Sequence, residues 1–203
     1  IYPSDHSANS RLTLVFGELF FELGQYQAAV DSTRKALASQ QKILQSKSRF
    51  TAAIHNQLGS HLADQGIVEE ALEQFQLGLL NTCINFEDTN VYSHPSPGAM
   101  TFSANRVTIL LLNKALVFYH QGLKNREKAL FYHEEAYKAL NTAMDWHFSM
   151  RNKIQDAESR TELTNNSYKI YELAMHNVFR LWDLSQDAKW KEAAFQIAAR
   201  SRA

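Results

Sequence analysis

Read for apolar and polar positions, the chain alternates helical stretches with short breaks. Residues 10–23 and 27–45 carry apolar side chains at helical spacing and meet at Gly24; residues 50–65 and 68–83 do the same and meet at Gly66. The spelling repeats as well. Phe16-Gly17 is matched by Leu58-Gly59, Leu23-Gly24 by Gln65-Gly66 and Ala28-Ala29-Val30 by Glu70-Ala71-Leu72, all 42 residues apart. A fixed period of this size marks stacked supersecondary units, each too small to bury its apolar face without its neighbours. Gly24 and Gly66 stand where a helix C-terminus takes a left-handed residue. Gly17 and Gly59 lie inside helices, where glycine costs roughly 1 kcal/mol relative to alanine. With Ala29 and Ala71 they predict close helix–helix approach. Tyr26 (Val68 in the second copy) and Phe75 are expected to fill the space these small residues leave.

The rhythm breaks at residues 85–103, where His94-Pro95-Ser96-Pro97-Gly98 cannot continue a helix. This stretch reads as an inserted loop, and as the most mobile internal segment, since few apolar residues are there to pin it. A third unit follows over Asn105–Gln121 and Lys124–Trp146, with its turn near Gly122, two residues longer than the others, and with Ala129 and Ala136 on its second helix. Lys114 takes the position of Phe16 and Leu58. Glu158 to Leu184 contains no glycine or proline and spaces Leu163, Ile170, Leu173, Ala174 and Leu181 helically, as one helix of roughly seven turns. After Ser185-Gln186-Asp187 a final helix carries Trp190 and an apolar stripe of Ala193, Phe195 and Ala198, while Arg200 and Arg202 leave its end charged and uncapped. The expected fold is all-α. Both ends of the chain read as cut from a longer protein.

Composition narrows the function more than it names it. Three prolines and seven glycines in 203 residues agree with a helical chain. Twenty-one basic residues balance 21 acidic ones, which leaves no footprint for nucleic acid. Residues 1–100 carry 6 Lys+Arg and 10 Asp+Glu, net −4, and residues 101–203 carry 15 and 11, net +4. The single cysteine, Cys83, excludes an internal disulfide framework and a cysteine metal cluster, and fits a reduced, cytoplasmic setting. No apolar run is long enough to span a membrane.

Candidate chemistry is sparse. Neither His55 with His61 nor His120 with His133 has the i, i+3 or i, i+4 spacing that sets two metal ligands on one helical face. His133-Glu134-Glu135 is not a zinc-protease motif, because Tyr137 stands where the second histidine belongs. Cys83 reads as a small packed hydrophobe. There is no phosphate loop and no nucleophile elbow. No cofactor or metal is expected, and no enzyme. The aromatics follow core positions, with no basic stripe beside them to make a stacking platform for single-stranded nucleic acid.

The apolar-Gly pair, the glycine turn, the aromatic and the Ala-Leu/Val pair together resemble the tetratricopeptide repeat (TPR), in a long variety with a 42-residue period. The likeness is good over residues 10–83, fair over 105–146 and weak over 155–203. It implies a single right-handed superhelix of antiparallel helix pairs over residues 1–203. The tail adds a second likeness: Arg151, Glu158-Ser159-Arg160, Tyr168, Tyr171-Glu172-Leu173-Ala174 and Ala198-Ala199-Arg200-Ser201-Arg202-Ala203. It is similar to the end of TPR regions that precede a CHAT domain, a caspase-like cysteine protease module, in bacteria. The catalytic His and Cys of that family belong to the downstream module, and neither Cys83 nor any histidine here takes those roles.

In TPR arrays the first helix of each pair lines a concave groove. The resemblance places there Leu14, Glu18 and Phe21, then Asn56, Ser60 and Ala63, then Leu112, Leu116 and Tyr119. TPR proteins that clamp a chaperone's acidic C-terminus carry Lys and Asn in the first unit, where this chain has Leu14 and Glu18, so that ligand is not expected. The implied function is a non-catalytic protein-interaction region controlling a downstream CHAT-type protease. The alternative is a stand-alone peptide-binding adaptor.

Overall fold

The structure is a computed structural model that describes residues 6–43, 47–151 and 157–202. It is all-α. Among the described residues eight helices follow in order: α1 His6–Glu22, α2 Tyr26–Ile43, α3 Arg49–Asp64, α4 Val68–Thr82, α5 Ala104–Lys124, α6 Ala129–Arg151, α7 Ala157–Ser185 and α8 Lys189–Arg202. No strand forms among the described residues, only an isolated antiparallel bridge between Cys83 and Thr101. No helix among them is long and apolar enough to cross a membrane. The chain divides into two compact units, one of residues 1–93 with 99–106 and one of residues 94–98 with 107–203.

In the first unit α1 packs on α2, α2 on α3 and α3 on α4. Both turns inside the pairs are the same device. Gly24 and Gly66 have φ of +73° and +78°. Gly24 N–H donates to Phe21 O and Gln25 N–H to Phe20 O; 42 residues on, Gly66 donates to Ala63 O and Ile67 to Leu62 O. This doubled bond closes the orphan carbonyls of a helix end and requires a left-handed residue that glycine supplies without a Cβ clash. Ala29 and Ala71 are fully buried, as expected of positions where paired helices touch.

The interior glycines are explained by what faces them. A Cβ on Gly59 would lie 2.7 Å from the ring of Phe75, which is itself buried, and one on Gly17 would lie 2.6 Å from Thr33 Oγ1. Thr33 and Phe75 are also 42 residues apart. Phe75 therefore fills the space as expected, but Tyr26 does not. Tyr26 is exposed, with its ring edge-on to Phe21 at 5.3 Å, and Thr33 takes the inner position.

The segment after α4 is fastened at both ends rather than loose. Ile84 N–H donates to Met100 O at 2.8 Å and Phe102 N–H to Thr82 O at 3.0 Å. Lys47 Nζ donates to three carbonyls, those of Cys83 (3.0 Å), Ile84 (3.0 Å) and Phe86 (2.9 Å), and Gln76 Nε2 donates to Asp88 O at 2.6 Å. Hydrogen bonds do here what the missing apolar side chains would have done.

In the second unit α6 packs on α7 and α7 on α8. The third pair does not turn at Gly122. Helix α5 runs on to Lys124, and Gly122 sits inside it, buried, where a Cβ would lie 2.7 Å from the ring of His133. Asn125 makes the turn instead, its side chain accepting from Lys128 N–H at 3.2 Å. Gly122 is thus a packing glycine like Gly59, not a turn glycine like Gly66. Ala129 and Ala136 are buried on α6 as expected, and Lys114 is fully buried. On α7 the buried stripe is Ile170, Leu173, Ala174, Asn177, Val178 and Leu181; the side chain of Leu163 lies outside the described residues. On α8 the stripe is Trp190, Ala193 and Ile197, whereas Phe195 is 77% exposed. Arg200 is not a free helix end, since it donates to Asn141 Oδ1 at 3.0 Å and Asp145 Oδ1 at 2.5 Å on α6. Ser201 and Arg202 are exposed.

Candidate functional site: a cleft between α1 and α3

The one-face spacing of α1 and α3 opens a cavity of about 360 Å³ in the first unit. Its walls are Leu14, Glu18 and Phe21 from α1, Ala53, Asn56, Gln57, Ser60, His61 and Asp64 from α3, and Arg106. Of the six residues assigned to the groove in the first two repeats, five line this cleft; Ala63, half-buried on α3, is not among them. The three assigned in the third repeat belong to the second unit and do not line this cleft. Leu112 is buried, Leu116 is half-buried, and Tyr119 is half-buried with its ring edge-on to His133 at 5.3 Å.

The two helices hold the cleft walls in register. Gln57 Nε2 donates to Leu14 O at 3.1 Å, and the Phe21 ring stacks on His61 at 4.7 Å and 12°. His61 is positioned from behind. The hydroxyl of Thr33 spends its proton on Ala29 O at 2.9 Å, so at 3.3 Å it accepts from His61 Nδ1. Burial holds the His61 imidazole below the usual histidine pKa, against the carboxylate of Asp64 and the Ala29 carbonyl, which raise it. The ring, stacked on Phe21, forms part of the cleft wall. Burial, and then the like charge of Arg49, lower the pKa of the Arg106 guanidinium.

Ala53, Gln57 and Asp64 lie on the same face of α3 as Asn56 and Ser60, at spacings of three, four and eight residues, and the period of the helix could have found them. Arg106 could not be found that way. It reaches the cleft from beyond the 85–103 insertion, and nothing in the repeat register marks it.

The other candidate groups are packed. Cys83 is fully buried, and burial pushes its thiol up to about 11 against the opposing pull of Thr101 and Lys47. His55 Nδ1 donates to Gln74 Oε1 (2.8 Å) and His133 Nδ1 to Asn177 Oδ1 (2.7 Å), while Asn177 Nδ2 donates back to His133 O at 2.8 Å. Burial lowers the pKa of both rings. Among the described residues no group of three His, Cys, Asp or Glu side chains is placed to hold a metal ion. Compared with known proteins, the chain matches no family and no curated sequence.

Proposed function

We propose that the chain is a non-catalytic protein-interaction region, in TPR style, that holds an extended peptide in the α1–α3 cleft and controls a CHAT-type protease module downstream of it. The observation that carries the reading is the cleft itself. Two parallel first helices of successive repeats face one open cavity with apolar (Leu14, Phe21) and hydrogen-bonding (Asn56, Gln57, Ser60) groups side by side. Apolar side chains give area, and Gln57 Oε1 and Ser60 Oγ, whose side chains already donate to Leu14 O and Asn56 O, keep the capacity to accept from a peptide N–H. The protease link rests on the tail's likeness alone. A peptide shifts the following module between two arrangements by no more than its differential affinity for them. Completeness of the cleft within the first unit favours, as a second reading, a stand-alone adaptor.

The test compares this chain alone with the full-length protein. The chain alone is expected to cleave nothing; the full-length protein is expected to be a protease whose activation Leu14→Asp blunts while the isolated protease module stays competent. A folded Leu14→Asp protein activated as well as the wild type overturns the cleft assignment. A full-length protein with no protease module leaves the adaptor reading.

A further inference from the structure

The cleft is electrically polarised along its length. At the end where α3 begins stand three guanidinium groups. Arg106 lines the cavity, Arg49 is close enough to act on it, and Arg11 lies over the ring of Phe50 at 5.5 Å. None of the three forms an ion pair among the described residues, whose ion pairs involve other side chains. Beyond the middle stands Glu18, on α1 between Leu14, which Gln57 bonds, and Phe21, which stacks on His61, and at the far end Asp64; both line the cavity, exposed and without an ion pair among the described residues. The helix reinforces both ends, because the α3 N-terminus carries partial positive charge and its C-terminus, at Asp64, partial negative charge. A half-buried arginine held beside like charge with no counter-ion is a cost to the folded chain, and an arriving anion relieves it.

We propose that the occupant of the cleft is an extended peptide segment carrying an acidic side chain at the Arg106 end and a basic one, about five residues away, at the Glu18–Asp64 end. The separation follows from geometry. The first and last wall residues on α3, Ala53 and Asp64, are eleven residues of helix apart, about 16 Å at ~1.5 Å each; that sets the length of the cleft, and an extended chain covers it in about five residues at ~3.3 Å each. The inference rests on the peptide-binding reading above and gives it a charge code. It excludes a purely acidic tail, which Glu18 and Asp64 repel, and a purely basic one, which the arginines repel.

The test uses the whole chain and six-residue peptides blocked at both ends, with apolar and amide residues between the terminal side chains. Four are compared: Glu first and Lys last, Lys first and Glu last, Glu at both ends, and Lys at both ends. One of the two mixed orders is expected to bind about tenfold or more tighter than either single-sign peptide, since a tenfold ratio is about 1.4 kcal/mol, the scale of one partly desolvated ion pair. Raising the salt is expected to shrink that ratio. Arg106→Glu is expected to turn the preference toward the two-Lys peptide. If all four bind equally and Ser60→Trp abolishes binding, the cleft binds peptide but the charge code is wrong. If a single-sign peptide binds best, the code is likewise wrong. If none binds, both the code and the peptide-binding reading fall.

Discussion

At the scale of single residues, the small positions carry the packing and the buried rings carry the pH response. Gly59 faces the ring of Phe75 at 2.7 Å from where a Cβ would be, and Phe75 has no solvent side into which to retreat. Gly59→Ala is expected to lower stability by ~1–3 kcal/mol through overpacking, read by urea denaturation. Gly98→Ala, with nothing within 4 Å, is the control and is expected to be nearly silent. Sequence spelling revealed Gly59 because Gly17 repeats it, but it did not reveal that Thr33 rather than Tyr26 fills the space at Gly17. A repeat fixes which positions correspond and leaves open which of two nearby side chains turns inward. The histidines make a second prediction. Burial depresses the pKa of His55, His61 and His133, so below about pH 6.5 the unfolded chain binds more protons than the folded one. Their contribution is full above that pH and is lost as pH falls toward the depressed values. The urea midpoint is expected to drop between about pH 7.5 and 5.5, and His133→Gln to reduce that drop. An unchanged slope in the variant would remove His133 from the account.

At the scale of elements, the helices and two of the three turns were legible because each rests on local signals. Periodicity sets the helix, and a glycine able to take positive φ sets its end. The third turn was misplaced because a glycine has two uses. Gly122 looks like Gly24 in sequence, yet it serves against His133 inside α5, and Asn125 makes the turn. The α8 stripe was misread in part for a related reason: Ala193 turns inward as expected, but Ile197 rather than the exposed Phe195 joins it there. The 85–103 segment was illegible as an ordered element because its anchors are polar and distant in sequence. Lys47 holds the carbonyls of Cys83, Ile84 and Phe86 from across the unit, at the negative end of α4. Lys47→Met keeps the stem and removes the three bonds. It is expected to cost about 1–3 kcal/mol and to speed exchange of the Ile84 and Phe102 amides. Unchanged exchange would show that Met100 and Thr82 fasten the segment without help.

At the scale of the whole molecule, the proposed function rests on the two helix faces that the first two repeats set beside one cavity. The α1 and α3 walls were readable from the repeat, because residues 42 apart face the same way. Arg106 was not, and with it the polarity of the cleft was out of reach. The most direct measurement is peptide binding by the chain with the cleft open and with it filled. A peptide selected from a random library on the wild-type chain is titrated against wild type, Ser60→Trp and, as a surface control, Ser201→Trp, each shown to be folded by its thermal melt. Ser60 lines the cavity, and Ser201 is exposed on α8. The account predicts binding to wild type and Ser201→Trp and loss of at least about tenfold in affinity, or about 1.4 kcal/mol, with Ser60→Trp. Equal affinity for all three folded proteins would contradict it.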